Sequence, residues 1–215
     1  MSAVEHRADA TPFLPERKSL KALREAAAKC RGCNLYANAT QTVFGEGRRT
    51  ADLMLVGEVP GDREDRAGHV FVGPAGREFD KALDALGIAR NDVYITNVVK
   101  HFKFEERGKR RIHQTPKRFE VEACRPWFDA ELEVVAPEAL IVLGATAGKA
   151  LFGSSFKITR ERGRLLDSDL APIVSATVHP SAILRAPDDE ARKQQRREFR
   201  SDLAVVVRAV ERGSA

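Results

Sequence analysis

Apolar residues in this chain fall into short unbroken runs that alternate with helical stripes. Asp52 to Val56, Val93 to Val99, Ala139 to Leu143 and Ile173 to Val178 are mostly apolar and too short for helices, as expected of strands buried on both faces. Between them the period changes to that of a helix. Leu20, Leu23 and Ala27 predict a short helix running to about Lys29, and Phe79, Leu83 and Leu86 mark one face of a helix over Ala75 to Leu86, closed by Gly87. Pro116 to Val135 predicts a long helix carrying Cys124, Trp127, Phe128 and Leu132. Another helix follows Gly144 and ends near Leu151, and Asp189 to Arg212 closes the chain with Phe199, Leu203, Val206 and Val210 on one stripe.

Strands separated by helices imply an α/β fold. The expectation is a single domain over residues 16–215 behind an N-terminal tail, 1–15, with a central, mainly parallel four-stranded sheet flanked by helices on both faces. Open sheets of this kind bind ligands beyond the carboxyl ends of their strands. Glu58, Asn97, Gly144 and His179 each stand just past a strand end, so four segments are expected to meet at one crevice.

Composition narrows the partner. The 215 residues are 43% hydrophobic and 31% charged, the profile of a globular protein, and no apolar run approaches the roughly 20 residues of a membrane span. The first residues have no apolar core of a secretory signal, so a cytoplasmic location without a membrane partner is expected. A formal charge of +5 favours a polyanion. Three cysteines, an odd number, argue for metal binding or structural thiols over a disulfide framework.

Candidate chemistry sits in four places. Cys30-x-x-Cys33 with Cys124 supplies three thiolates, and His101 is a natural fourth ligand; by donor chemistry alone this set leans to zinc, with an iron-sulfur cluster as the other reading. Gly57-Glu58-Val59-Pro60-Gly61-Asp62-Arg63-Glu64-Asp65 joins glycines that let a ligand approach the backbone to acids that can activate a nucleophile or stabilise a cation. Phe71, on the same expected loop of Glu58 to Pro74, can stack on a base. His179-Pro180-Ser181 brings an imidazole to the crevice. Between a strand and the long helix, Lys109, Arg110 and Arg111 crowd a loop that ends on His113; a solvated charge run and a phosphate-holding loop both fit that pattern.

In this order the segments resemble the uracil-DNA glycosylase superfamily, its iron-sulfur family 4 branch, and within that branch the UdgX group. The resemblance rests on Cys30-x-x-Cys33, Gly-Glu-Val-Pro-Gly with Glu64-Asp65, Phe71-Val-Gly-Pro-Ala-Gly76, Thr96-Asn97-Val-Val-Lys-His101-Phe, Lys-Arg-Arg-Ile-His113, Glu-Ala-Cys124-Arg-Pro-Trp, Leu-Gly144-Ala-Thr-Ala and His179-Pro-Ser. Lys-Arg-Arg-Ile-His is the stretch that marks the UdgX group. What the resemblance implies is a structural [4Fe-4S] cluster on Cys30, Cys33, His101 and Cys124, which replaces the zinc reading. It also implies that Phe71 stacks on a flipped uracil, Asn97 reads its edge, and His179 stabilises the leaving base. Glu58 and Asp65 match acidic positions of the first motif, beside Gly57. Ser181 to Arg185 belong to a stretch that presses into the DNA groove, with the wedge left open among Ile183, Leu184 and Arg185. Val59 departs from the pattern, which has Ala or, in the UdgX group, Gln. His113 is implied to capture C1′ of the abasic sugar, since a neutral imidazole is nucleophilic. The expected protein is then a monomer that crosslinks once to uracil-containing DNA, single strands accepted. Its alternatives are a multiple-turnover glycosylase of family 4 and a non-enzymatic, metal-stabilised nucleic-acid-binding module.

Overall fold

The computed structural model describes residues 9–213. Helix α1 (Leu20–Ala27) precedes strand β1 (Leu53–Gly57), then come α2 (Asp62–Ala67), α3 (Pro74–Asp84), β2 (Val93–Asn97), β3 (Phe104–Arg107) and β4 (Arg110–His113). The second half runs α4 (Arg118–Val135), β5 (Ala139–Leu143), α5 (Ala145–Phe152), α6 (Ile158–Glu161), β6 (Leu165–Leu166), β7 (Ile173–Thr177), α7 (Ser181–Leu184) and α8 (Asp189–Gly213).

The main sheet has five strands in the order β2-β1-β5-β7-β6. The first four are parallel, in the register Leu53↔Val93, Leu53↔Ala139 and Ala139↔Ile173. The four expected strands are therefore joined by a fifth, antiparallel edge strand, with Leu165 opposite Ser175 and Leu166 opposite Val174, too short to leave an apolar run in the sequence. Alternate residues of each strand face opposite sides. Met54, Val56, Leu140 and Val142 pack with Leu23, Trp127 and Phe128 from α1 and α4; Leu55, Ile95 and Ile141 pack with Phe79, Leu83, Phe199 and Leu203 from α3 and α8. Both faces are covered, which is why these strands read as unbroken apolar runs.

Two local expectations change. The basic stretch is no loop: β3 and β4 form an antiparallel hairpin, Phe104 opposite His113, turning at Gly108 with φ of 59°. The segment 58–74 is not all loop either, since α2 occupies its middle and ends at Gly68 with φ of 77°. Within the expected tail, Ala10 is fully buried and its N–H donates to the Ala123 carbonyl at 2.8 Å, so the chain is tied to the body before residue 15. Positions 1–8 of that tail lie outside the described residues. No described helix is long and apolar enough to cross a membrane.

Candidate active site

The carboxyl ends of β1, β2, β5 and β7 open into a cleft of about 810 Å³. Glu58, Asn97, Gly144 and His179 all line it, together with Phe71, His113, Arg63, Ser181, Leu184 and Arg185. Glu58, Gly144 and His179 lie past their strand ends as expected, whereas Asn97 is itself the last residue of β2, which stops two residues short of the expected Val99.

The floor depends on missing side chains. A Cβ on Gly57 would come within 2.3 Å of Asn97 Oδ1 and 2.9 Å of Phe71 Cζ, so glycine is what lets amide and ring share the end of β1. Phe71 itself holds the left-handed region with φ of 52°, an uncommon conformation for a bulky residue. Gly76 permits it, because a Cβ there would lie 1.7 Å from the Phe71 carbonyl oxygen. The Phe71 ring rests against Phe79 at 5.5 Å and beside the His179 ring at 5.7 Å between centroids.

Around His179 the hydrogen bonds fix a tautomer. The Ser181 backbone N–H donates to His179 Nδ1 at 3.2 Å, so Nδ1 carries a lone pair and Nε2 carries the proton in the neutral ring. Ser181 Oγ lies 2.9 Å from the same nitrogen and accepts from Arg185 Nη1 at 2.9 Å. Desolvation in the cleft lowers the His179 pKa to about 4, with Glu58 opposing and His113 and Arg185 adding to the shift. The ring is therefore neutral at physiological pH, with an N–H to offer. Linkage has a definite sign here. Between 6.5 and about 4 the unfolded chain binds this proton and the folded one does not, so stability is full above pH 6.5, falls as pH drops toward 4 and levels off below it. His179→Asn should flatten that segment of a melting-temperature curve against pH. An unchanged slope would mean that another group carries the titration.

His113 Nε2 lies 3.9 Å from Glu58 Oε1, with the two side chains 46% and 19% exposed. Glu58 Oε1 is buried without a hydrogen-bond partner among the described residues. A buried carboxylate oxygen left unpaired is costly, and such atoms mark places where chemistry or a ligand is to be met.

Lys109 and Arg110 are exposed at the hairpin tip, free to meet phosphates, but Arg111 is not. Its Nη1 donates to Asp65 Oδ2 at 2.7 Å and to Thr40 Oγ1 at 3.1 Å, its Nε donates to Asp62, and its guanidinium lies 5.2 Å from the Phe102 ring and 4.9 Å from the Phe104 ring. The expected phosphate ligand is thus turned inward and fastens the hairpin to α2. Asp65 is 0% exposed, accepts the Thr40 N–H and stands off the cleft wall, so it holds Arg111 in place and is not presented to a substrate. In the 180–185 stretch Ile183 is 1% exposed, Arg185 is exposed and donates to Ser181 Oγ, and Leu184 is 39% exposed. Leu184 is the apolar side chain able to enter a groove.

The candidate metal ligands divide into three and one. Cys30 and Cys124 are buried and Cys33 is partly so. Burial, the larger cause, pushes Cys124 up to about 12, and the negative charges of Cys33 and Cys30 add to it, so the three sulfurs are close enough to repel one another as thiolates. N–H groups already point at them, from Trp127 Nε1 to Cys30 Sγ at 3.2 Å and from the Lys100 backbone to Cys124 Sγ at 3.3 Å. Thiolates this buried need a cation, and the donor set fits a cluster. Among the described residues no three or more His, Cys, Asp or Glu are gathered tightly enough to hold a single metal ion. A cubane takes one ligand at each iron, so its ligands need not converge on a point. His101 is fixed otherwise. Thr42 Oγ1 gives its one proton to the Ala27 carbonyl at 2.9 Å, so at its 2.9 Å contact with His101 Nε2 it accepts, leaving Nδ1 as the nitrogen with a free lone pair.

Two residues at the centre of this region received no role from the sequence, Lys100, which stands within the Thr96 to Phe102 segment, and Glu131; they pair in the interior. Lys100 was legible only as part of that segment, three residues past the end of β2, and Glu131 as one more acid on α4; neither pattern says that the two meet.

The Uracil DNA glycosylase superfamily matches the chain over residues 44–204. A type-4 uracil-DNA glycosylase of Pyrobaculum aerophilum is 37% identical over 193 residues, covering 86% of this chain and 92% of the relative. Type-4 enzymes of Thermotoga maritima, 37% identical over 175 residues, and Sulfurisphaera tokodaii, 34% over 178, cover 81% and 79% of this chain and 88% and 78% of the relatives.

Proposed function

The chain belongs to the uracil-DNA glycosylase superfamily, and on that premise we propose that it excises uracil from DNA in the cleft between Phe71, Asn97, His113 and His179. The observation that carries this reading is the neutral His179 with its proton on Nε2, beside the Phe71 ring in the cleft that Glu58 also lines. A flipped uracil stacks on Phe71 and meets the Asn97 amide with its hydrogen-bonding edge. As the bond from C1′ to the base breaks, the electron pair leaves on uracil and the His179 N–H donates to the developing oxyanion. Glu58 faces the positive charge that appears on the sugar. Lys109 and Arg110 hold phosphates, and Leu184 enters the space left by the flipped base.

The fate of C1′ divides two readings. The names of the curated relatives favour an ordinary type-4 enzyme, in which water takes C1′, Glu58 accepts the water's proton and the enzyme turns over; they back this reading better than its rival. The rival is capture by His113, favoured by the placement of its ring in the cleft 3.9 Å from a carboxylate oxygen that lacks a partner. There a ring nitrogen bonds C1′, the other nitrogen gives up its proton to Glu58, and the product is an N-glycosyl imidazole without a good leaving path. An oligonucleotide with a single uracil tests both levels. Failure to release uracil would overturn the glycosylase itself, whereas a protein band carrying the mass of the DNA on a denaturing gel selects capture over turnover.

Cys30, Cys33, Cys124 and His101 through Nδ1 would hold a [4Fe-4S] cluster, which supplies cross-linking of the chain around the cleft and no chemistry of its own. The purified protein should then contain about four irons per chain and absorb near roughly 400 nm. Cys33→Ser should lower both; zinc in place of iron would sink the assignment.

A further inference from the structure

Behind Asn97 lies a charge pair that the reaction scheme does not use. Lys100 is 1% exposed and Glu131 0%, and they form an ion pair in the interior. Glu131 also accepts from Tyr94 Oη at 3.0 Å, from Thr96 Oγ1 at 2.9 Å and from the Gly45 N–H at 3.0 Å, so its lone pairs are well used. Buried pairs of this kind rarely add net stability, because desolvating two charges offsets their attraction, and apolar replacements are often as stable. Stability alone is a poor reason for this one.

The ammonium group has a more specific partner. Lys100 Nζ donates to the Asn97 carbonyl at 2.7 Å and to Thr96 Oγ1 at 2.6 Å. Strand β2 is the edge of the sheet, and it ends at Asn97, so this carbonyl lacks a neighbouring strand to bond it. The same lysine is anchored at its other end, where its backbone N–H donates to Cys124 Sγ. One residue therefore spans from the thiol cluster to the backbone of the side chain that faces the base.

We infer that Lys100, held by Glu131, is a positioning residue for the Asn97 amide and ties its aim to the cysteine region. This rests on the reading in which Asn97 contacts uracil. The ammonium fixes the Asn97 peptide plane, and with it the direction of the side chain across the Gly57 gap. Without it the carbonyl is free to rotate toward other donors and the amide loses its angle to the base.

A double-mutant cycle tests this, with the single-turnover rate of uracil release from a uracil oligonucleotide as the readout. Asn97→Ala should slow release about 100-fold, and Lys100→Met with Glu131→Gln, which removes both charges yet keeps an acceptor for Tyr94 and Gly45, roughly 10-fold or more. Because the two act through one amide, the triple variant should be no more than about twofold slower than Asn97→Ala. Melting temperature and visible absorption are followed alongside. Multiplying effects, near 1,000-fold in the triple variant, would show that the pair acts elsewhere and overturn the inference while leaving the role of Asn97 intact. A wild-type rate for Asn97→Ala would instead overturn the base-reading role, and the inference with it. Should the double replacement fail to fold, Lys100→Arg, which keeps a donor and a cation, runs the same cycle with a smaller first step and the same non-additivity expected.

Discussion

His113→Ser is expected to leave uracil release within about threefold of wild type and to remove completely any protein–DNA band that survives denaturation. The reasoning separates two bonds. In the proposed scheme, breaking C1′ from the base depends on the leaving anion, which His179 addresses, and on the sugar cation, which Glu58 addresses, and His113 is assigned to neither; all three line the cleft. Forming the new bond depends on a nucleophile, and serine at 113 offers a short, weakly nucleophilic hydroxyl where the imidazole reached toward Glu58. Under capture, the variant changes from one event per molecule to many, so product exceeds enzyme. Under ordinary turnover the wild type already behaves in that way, with no band to lose. A band that persists in His113→Ser would assign the bond to another residue. A large loss of uracil release in the variant would put His113 in the first step and contradict the division of labour argued above.

What the sequence could tell depended on how each element is stabilised. Strands β1, β2, β5 and β7 were legible because they are buried on both faces and leave unbroken apolar runs. Their ends then marked Glu58, Asn97, Gly144 and His179 without any distances. The Phe104–His113 hairpin was hidden because its outward residues are charged, so alternation is faint; Gly108, the residue at the turn, was the one available signal. Strand β6 and helix α2 carry too few residues to show a period. Within the basic run, charge alone could not say that Lys109 and Arg110 face outward while Arg111 turns in. That choice is made by Asp62 and Asp65 on α2 and by two phenylalanine rings, all distant or unremarkable in the sequence. The same blindness applies to Lys100 and Glu131, whose meaning lies wholly in what each touches.

Arg111→Met is the substitution with the largest expected effect on the scaffold. Methionine keeps apolar contact with Phe102 and Phe104 but withdraws the cation from Asp65, a carboxylate with 0% exposure whose remaining donor is the Thr40 backbone. Removing one partner of a buried pair costs about 3 kcal/mol or more, because the other charge is left without compensation. For a chain of this size that corresponds to a melting temperature lower by roughly 6–12 °C. Asp62 depends on Arg111 as well as Arg66, although its own exposure makes that contact the weaker part of the loss. The partner change decides the cause. Arg111→Met with Asp65→Asn has no buried charge to strand, so it should recover about half or more of the lost stability. Its hairpin still lacks the tether to α2, and position 113 is no longer held at the cleft. Stability and the His113 function should therefore come apart in this pair: the double variant melts clearly above Arg111→Met yet remains as deficient in any capture of DNA. If both recover together, Arg111 serves only to neutralise Asp65, and the hairpin is held by its other contacts.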